Sequence, residues 1–491
     1  MKILALQLAR YGDIVLTLRS IEKRFAADPS FEVDLLVRTG FADIVPSSNP
    51  RLKVKTLDPR AFLQPISSGD ESGMDASLKT VEEWLDQLAK CDYDGVINFS
   101  FSPLSSFICL FLEEAGHSVI GYSRHRDGTF SARGFTSRYF FSQVGVLKPN
   151  TTHLTCIFDR MLNVEDEICR DPVLERSPFP RTPASYALIH VGASEESKLL
   201  SVGQYFRIVE GLTRWLSLPI ILVGSKRESW RSEVLTCGLQ DKNLIDLVGK
   251  TSITELTEVV SRATVVIGCD SLVLQLSSYF NRPTFIAVNS QVNPFETGPT
   301  AEAGFVYYAT DMSALCIQEI VSDIVRHLKG FAPKNHTLSW CKSTSQLEPT
   351  PEGIGFETSK QIWNGQFGAL ILSRPPDLPV ESLRELIETA LTQLYSIKRN
   401  GFSTASRGIL TSVDELFDII ERQHLDWMPW IRWFNMLRTQ IGPGNETETI
   451  DRTISCFRLA DLSLKNLTIR RDDTLVEVKK EVRDDQNVLQ I

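Results

Sequence analysis

Paired cysteines are missing from this chain of 491 residues: its nine cysteines are scattered, none forms a Cys-x-x-Cys pair, and their number is odd. The pattern excludes a disulfide scaffold and a structural zinc site, and predicts reduced, mostly buried thiols in a cytoplasmic protein. No apolar run approaches the roughly 18 residues that a membrane span needs. The opening segment MKILALQLARYGD meets Arg10, Gly12 and Asp13 where a signal peptide would carry small residues for cleavage. Any membrane contact is therefore expected to be peripheral. A basic excess is lacking too, with 52 Lys and Arg against 61 Asp and Glu, a net charge of −9. Whole-molecule attraction to nucleic acid is thereby excluded. The balance is uneven, however. Residues 1–60 carry ten basic against seven acidic side chains, whereas residues 61–100 carry two against eight.

What is present is a regular alternation of short apolar runs and helical patterns up to about residue 330. KILALQL (2–8), VDLLVR (33–38), LKVKTL (52–57), DGVINFS (94–100) and SVIGYS (118–123) read as buried strands. Helical periodicity lies between them, clearest over 76–90 and 103–115, which is the grammar of a parallel sheet with crossover helices. The stretch DPVLERSPFPRTPAS (171–185) breaks the pattern and reads as a linker. The alternation resumes with YALIHVG, PIILVG, NLIDLVG, TVVIG and TFIAVN between 186 and 289. We therefore expect a first α/β domain over 1–170, a linker over 171–184 and a second α/β domain over 185–330. Such a pair places a ligand cleft at the C-terminal ends of the strands. Residues 331–491 read as a further α+β module, with helices over 379–398 and 412–438 and strand-like runs at 368–374 and 464–482. The second helix is interrupted by Pro429 and carries Trp427, Trp430, Trp433 and Phe434. Core packing is the plainer role for that stripe, and a membrane or partner surface the other.

Chemistry concentrates where strands meet helices. In LQLARYGDIVLTLRS, Gly12 turns the chain and Asp13 opens a helix, where a carboxylate could either cap the helix or accept a proton from a bound hydroxyl. HVGASEESKLLS (190–201) places Lys198 beyond a polar loop, either solvated or facing a phosphate. VGSKRES (223–229) offers Glu228 after a glycine turn, either solvated or binding ribose hydroxyls. GKTSITEL (249–256) sets Thr251 and Ser252 before an amphipathic helix, and the spacing of Ser252 to Glu255 also fits a capping box. Finally, VVIGCDSLVLQ puts Asp270 and Ser271 at a helix start, the place where unpaired N–H groups attract anions.

The order of these motifs resembles the ADP-heptose:lipopolysaccharide heptosyltransferases, glycosyltransferase family 9. Gly-Asp follows the first strand, and H-x-G-A-S with a later Ser-Lys, a glycine turn with Glu, G-K-T-S-I-x-E-L and G-x-D-S come in sequence. NPFETGP (293–299), GYSRH (121–125) and HLTCIFDRML (153–162) match further, and the resemblance covers about 1–330. It implies an α/β GT-B fold of two Rossmann-like domains and an inverting, metal-independent sugar transfer, with no cofactor beyond the ADP-sugar substrate. The implied reaction moves a heptose or related sugar to a lipopolysaccharide core or other glycan or lipid-linked acceptor, at the inner face of the inner membrane. By position, Asp13 would be the general base and Lys198 would meet the donor phosphate or sugar. Glu228 would bind the ribose, Thr251 would lie by the adenine through its backbone, and Ser252 would belong to the same donor site. Asp270, Ser271 and Gln275 would hold sugar and diphosphate.

The chain departs from the family pattern at two of these places. The usual Asp-Ser/Thr-Gly-Pro-x-His run is here Asp270-Ser271-Leu272-Val273-Leu274-Gln275. Leu272 adds bulk where glycine gives easy access to positive φ. Gln275 can donate a hydrogen bond but cannot carry charge. A heptosyltransferase-like binding or scaffold protein, and a transferase directed to a protein acceptor, are the alternative readings.

Overall fold

A computed structural model describes residues 1–65, 71–144, 150, 152–164, 182–239, 243–341, 346–349, 380–423 and 427–469. Two sheets organise the chain. The first contains β1 (Lys2–Leu6), β2 (Glu32–Arg38), β3 (Leu52–Leu57), β4 (Gly95–Asn98), β5 (Val119–Arg124) and β6 (Phe130–Arg133), in the order β3-β2-β1-β4-β5-β6. The first five run parallel, and β6 closes the edge antiparallel to β5. Strands β1 and β2 are almost wholly buried, which is why they appear in the sequence as continuous apolar runs. The order reverses between β1 and β4, so the crevice of this domain opens beyond Leu6 and Asn98.

The second sheet repeats the plan. It holds β7 (Ala187–His190), β8 (Ile220–Val223), β9 (Leu244–Asp246), β10 (Val265–Cys269), β11 (Thr284–Val288), β12 (Gly304–Tyr308), β13 (Leu338–Cys341) and β14 (Gln346–Pro349), in the order β14-β13-β12-β11-β10-β7-β8-β9. Its switch point lies between β7 and β10, beyond His190 and Cys269. The sheet does not stop at residue 330 as expected: β13 and β14 extend it as an antiparallel pair on β12. Of the expected linker, only residues 182–184 fall among those described.

The third module differs from its expectation as well. Its described part consists of four helices: Val380–Asn400, Thr404–Gln423, Met428–Arg438 and Glu446–Ile469. The run expected as a strand from 464 begins as the last turns of a helix, and the run at 368–374 lies outside the described residues. The interruption expected at Pro429 is present: the run divides between Thr404–Gln423 and Met428–Arg438, and the proline occupies the first turn of the latter, where a helix accepts it best. The tryptophan stripe is core. Trp427, Trp430 and Trp433 are fully buried, and the Trp430 indole N–H donates to Ser463 Oγ at 2.9 Å. These helices dock on the first domain. The Phe135 and Trp433 rings lie 5.1 Å apart, Gln440 Nε2 donates to the Ala132 carbonyl at 2.9 Å, and His125 Nε2 donates to that of Thr439 at 2.8 Å.

The two α/β domains are joined by packing along helix Tyr11–Ala27. Its buried face (Ile14, Val15, Leu18, Ile21) shares one hydrophobic cluster with Val273 and Leu276 of helix Leu272–Tyr279 and with Val259 and Val260 of helix Ile253–Ser261. Arg19 adds hydrogen bonds to the hydroxyl and carbonyl of Thr300, while Lys23 ties the same helix to Asp159 within the first domain at 2.6 Å.

Candidate functional site

Asp13 is the third residue of helix Tyr11–Ala27, where one carboxylate oxygen accepts the Arg10 backbone N–H at 3.1 Å. The capping role and the cleft position thus coexist. Burial pushes the Asp13 carboxyl above the ordinary carboxylate range, and the Arg10 hydrogen bond and charge pull it partly back. A carboxylate made more basic at a strand-to-helix junction is suited to take a proton from a hydroxyl.

Asp270 and Lys198 arrive from the second domain. Asp270 follows β10, and Lys198 ends the short 3-10 turn Glu196–Lys198 after β7. Lys198 Nζ lies 3.9 Å from Asp270 Oδ2 and 3.8 Å from Glu195 Oε1. Burial raises the Asp270 carboxyl, Lys198 opposes the rise, and the Asp13 charge adds to it. Two carboxylates from opposite domains therefore feel each other, with one ammonium beside them. The turn carrying Lys198 is pinned by Asn289 Nδ2, which donates to the Ser197 carbonyl at 2.7 Å.

The phosphate seat differs from its expectation. Leu272 is the first residue of helix Leu272–Tyr279 and follows an extended Ser271. The described non-glycine residues with positive φ are Asn163 and Asn281, so Leu272 needs no left-handed backbone. Its side chain packs against the cluster shared by the two domains. The Ser271 hydroxyl is buried, does not cap its helix, and has no partner among the described residues. Gln275, expected at the donor, has a partner within the protein. Its Nε2 donates to the Thr297 carbonyl at 2.7 Å, because the loop ending in Thr-Gly-Pro folds over the helix. The Thr297 side chain in turn helps to lower the Asp270 carboxyl.

The nucleotide side is held by turns. Ser225 N–H and Oγ donate to Glu228 Oε2 at 2.6 and 2.5 Å, so one oxygen of Glu228 serves a cap. Glu228 still faces the β7 turn: a Cβ added to Gly192 would lie 3.0 Å from its Cδ and 3.1 Å from His190 Nε2, so a side chain there would crowd both. Burial drives the His190 imidazole down to about 4, leaving a neutral ring. Its Nδ1 is buried and unpartnered among the described residues. Ser252 forms the cap that its spacing allowed: its N–H and Oγ donate to Glu255 Oε2 at 2.7 and 2.8 Å. Thr251 lies half-buried just before it.

Sequence reasoning missed Arg10. Its charge lowers both Asp13 and Asp270, which puts a second cation at the carboxylate pair. A cation two residues before Gly12 was the available signal. The match of HLTCIFDRML also gains a physical reason. His153 Nε2 donates to the Gly298 carbonyl at 3.1 Å, and Asn150 Nδ2 donates to Glu296 Oε1 at 3.0 Å, so this segment braces the Thr297 loop. Burial holds His153 down to about 3, consistent with a neutral ring donating to a carbonyl. Gly298 allows the brace, since a Cβ there would stand 2.3 Å from the Pro294 carbonyl oxygen. Among the described residues no three His, Cys, Asp or Glu side chains cluster as metal ligands, and no helix is long and apolar enough to cross a membrane.

Residues 162–318 match the family model of glycosyltransferase family 9 (heptosyltransferase). The Escherichia coli heptosyltransferase WaaC with ADP superposes with a TM-score of 0.50 at 17% identity, covering 66% of this chain and 99% of that one. The family 9 glycosyl transferase from Veillonella parvula gives 0.50 at 16% identity, covering 65% and 95%. Among curated proteins, none matches the sequence. The chain thus carries a family 9 glycosyltransferase domain in a GT-B fold, followed by a helical region.

Proposed function

We propose that this domain makes the chain an inverting, metal-independent transferase that moves a heptose or related sugar from an ADP-sugar to a glycan acceptor. The observation that carries the reading is that the Asp13 charge bears on Asp270 across the two domains, with Lys198 Nζ 3.9 Å from that same Asp270. In this reaction Asp13 takes the proton of the acceptor hydroxyl as that oxygen attacks the anomeric carbon from the face opposite the diphosphate. The C–O bond to ADP breaks as the new bond forms, which inverts the centre. Lys198 and the N-terminus of helix Leu272–Tyr279 meet the negative charge gathering on the leaving diphosphate. Asp270, held by Lys198 and Thr297, orients the sugar. Glu228 keeps one oxygen for ribose hydroxyls, and Thr251 lies by the adenine. The acceptor is a lipopolysaccharide core or another glycan, reached from the first domain.

The test is transfer from ADP-heptose to isolated core oligosaccharide, with the anomeric configuration of the product read by NMR. An inverted linkage formed at the same rate with and without EDTA is expected. Retention, loss of rate with EDTA, or no transfer from any ADP-sugar overturns the reading. Arg10 supplies a pH prediction. Because its charge lowers the Asp13 and Asp270 carboxyls, Arg10→Ala should raise both. The base is then protonated at higher pH, so the acid limb of kcat/KM should move upward while the rate at high pH changes least. A limb that stays in place removes Arg10 from the site.

A further inference from the structure

Resting on that transferase reading, we propose that Gln275 reads the transferred sugar by accepting a hydrogen bond from one of its hydroxyls, and that it does not bind phosphate. The amide orientation is fixed by its neighbour. A backbone carbonyl can only accept, so the group facing Thr297 O at 2.7 Å is the Gln275 NH2, and Oε1 is the atom turned elsewhere. The residue is 95% buried, and Oε1 has no partner among the described residues. A buried carbonyl oxygen left unpaired is costly, which points to a donor that arrives with the ligand.

Three neighbours place that donor. A Cβ added to Gly12 would lie 3.5 Å from Gln275 Cγ, so Gln275 stands against the turn that delivers Asp13. The carbonyl it donates to belongs to Thr297, whose side chain bears on the Asp270 carboxyl. The wall made by Asp13, Asp270 and Gln275 Oε1 is thus built of acceptors, with Lys198 and Arg10 as its cations. Phosphate oxygens carry no proton to offer such a wall. Sugar hydroxyls do. Ser271 Oγ, buried one turn earlier and unpartnered among the described residues, is a hydroxyl that can donate to the diphosphate. A histidine at 275 could turn an N–H toward the ligand. Glutamine in this pose turns an oxygen, which changes the position from donating to accepting.

The experiment is titration calorimetry of wild-type protein and Gln275→Met, each with ADP, ADP-heptose and a series of mono-deoxy ADP-heptoses. The variant should hold ADP within about twofold and bind ADP-heptose about fivefold to tenfold more weakly, the size of one lost hydrogen bond to a buried partner. One deoxy analogue should show that same loss on wild-type protein and no further loss on Gln275→Met. Equal weakening of ADP and ADP-heptose would place the side chain at the diphosphate and overturn the inference. Deoxygenation losses identical in the two proteins would overturn it as well. The wild-type series stands alone if the variant does not fold: when no deoxy position costs affinity, the inference falls while ADP binding keeps the transferase reading. A wild-type protein that binds no ADP brings down the transferase reading together with the inference.

Discussion

Asp13→Asn lowers kcat by about 10²- to 10⁴-fold, the span that one positioned general base contributes. In free energy that is about 3–5 kcal/mol of barrier. The substitution is nearly isosteric, and its remaining oxygen can still accept the Arg10 N–H, so the helix start at Tyr11–Ala27 stays capped. The loss should therefore fall on kcat, with the donor KM and the unfolding midpoint close to wild type. The pairing with Asp270 sharpens the expectation. Removing the Asp13 charge takes away one influence that raises Asp270, so Asp270 should be ionised over a wider pH range in the variant. Steady-state rates and calorimetric ADP-sugar binding on one preparation check both parts. A variant turning over within tenfold of wild type would mean that the proton leaves by another route.

Trp433→Ala should cost about 3–5 kcal/mol, the usual penalty for truncating a fully buried tryptophan. The side chain lies between the C-terminal helices and Phe135 of helix Phe135–Gln143, so the void would open at their junction. The first domain and the C-terminal helices share one hydrophobic cluster and should lose stability together. In scanning calorimetry the transition of the unit built on that cluster, which also takes in Leu188, Ile221 and Val266 of the second domain, should move to lower temperature. Trp433→Phe should recover part of the loss by refilling some of the volume. An unchanged thermogram would show that the helices only lean on the first domain.

The strands of both sheets were legible because parallel strands covered on both faces must be apolar along their whole length. Phe130–Arg133 was not, being a short edge strand with Ser131 and Arg133 among its four residues. Leu338–Cys341 and Gln346–Pro349 were missed for a different reason. They join the second sheet antiparallel, beyond the point where the strand and helix alternation had ended. At the site, Asp13, Lys198 and Asp270 could be found from motif order, since each sits at a strand-to-helix turn. The direction in which Gln275 points could not, because it depends on a carbonyl 22 positions later in the chain. Ser252 was the reverse case: its spacing to Glu255 declared the cap, and the cap is what forms.

Leu347, on the outermost strand of the second sheet, is buried, and its Cδ1 would lie 2.5 Å from a Cβ placed on Gly298. That strand is a backstop for the loop whose Thr297 positions both Gln275 and Asp270. A protein shortened to the span of its recognisable motifs would keep every reactive group and lose the wall behind two of them. The smallest working unit is thus larger than its signature, and the border between domain and appendage falls past residue 349.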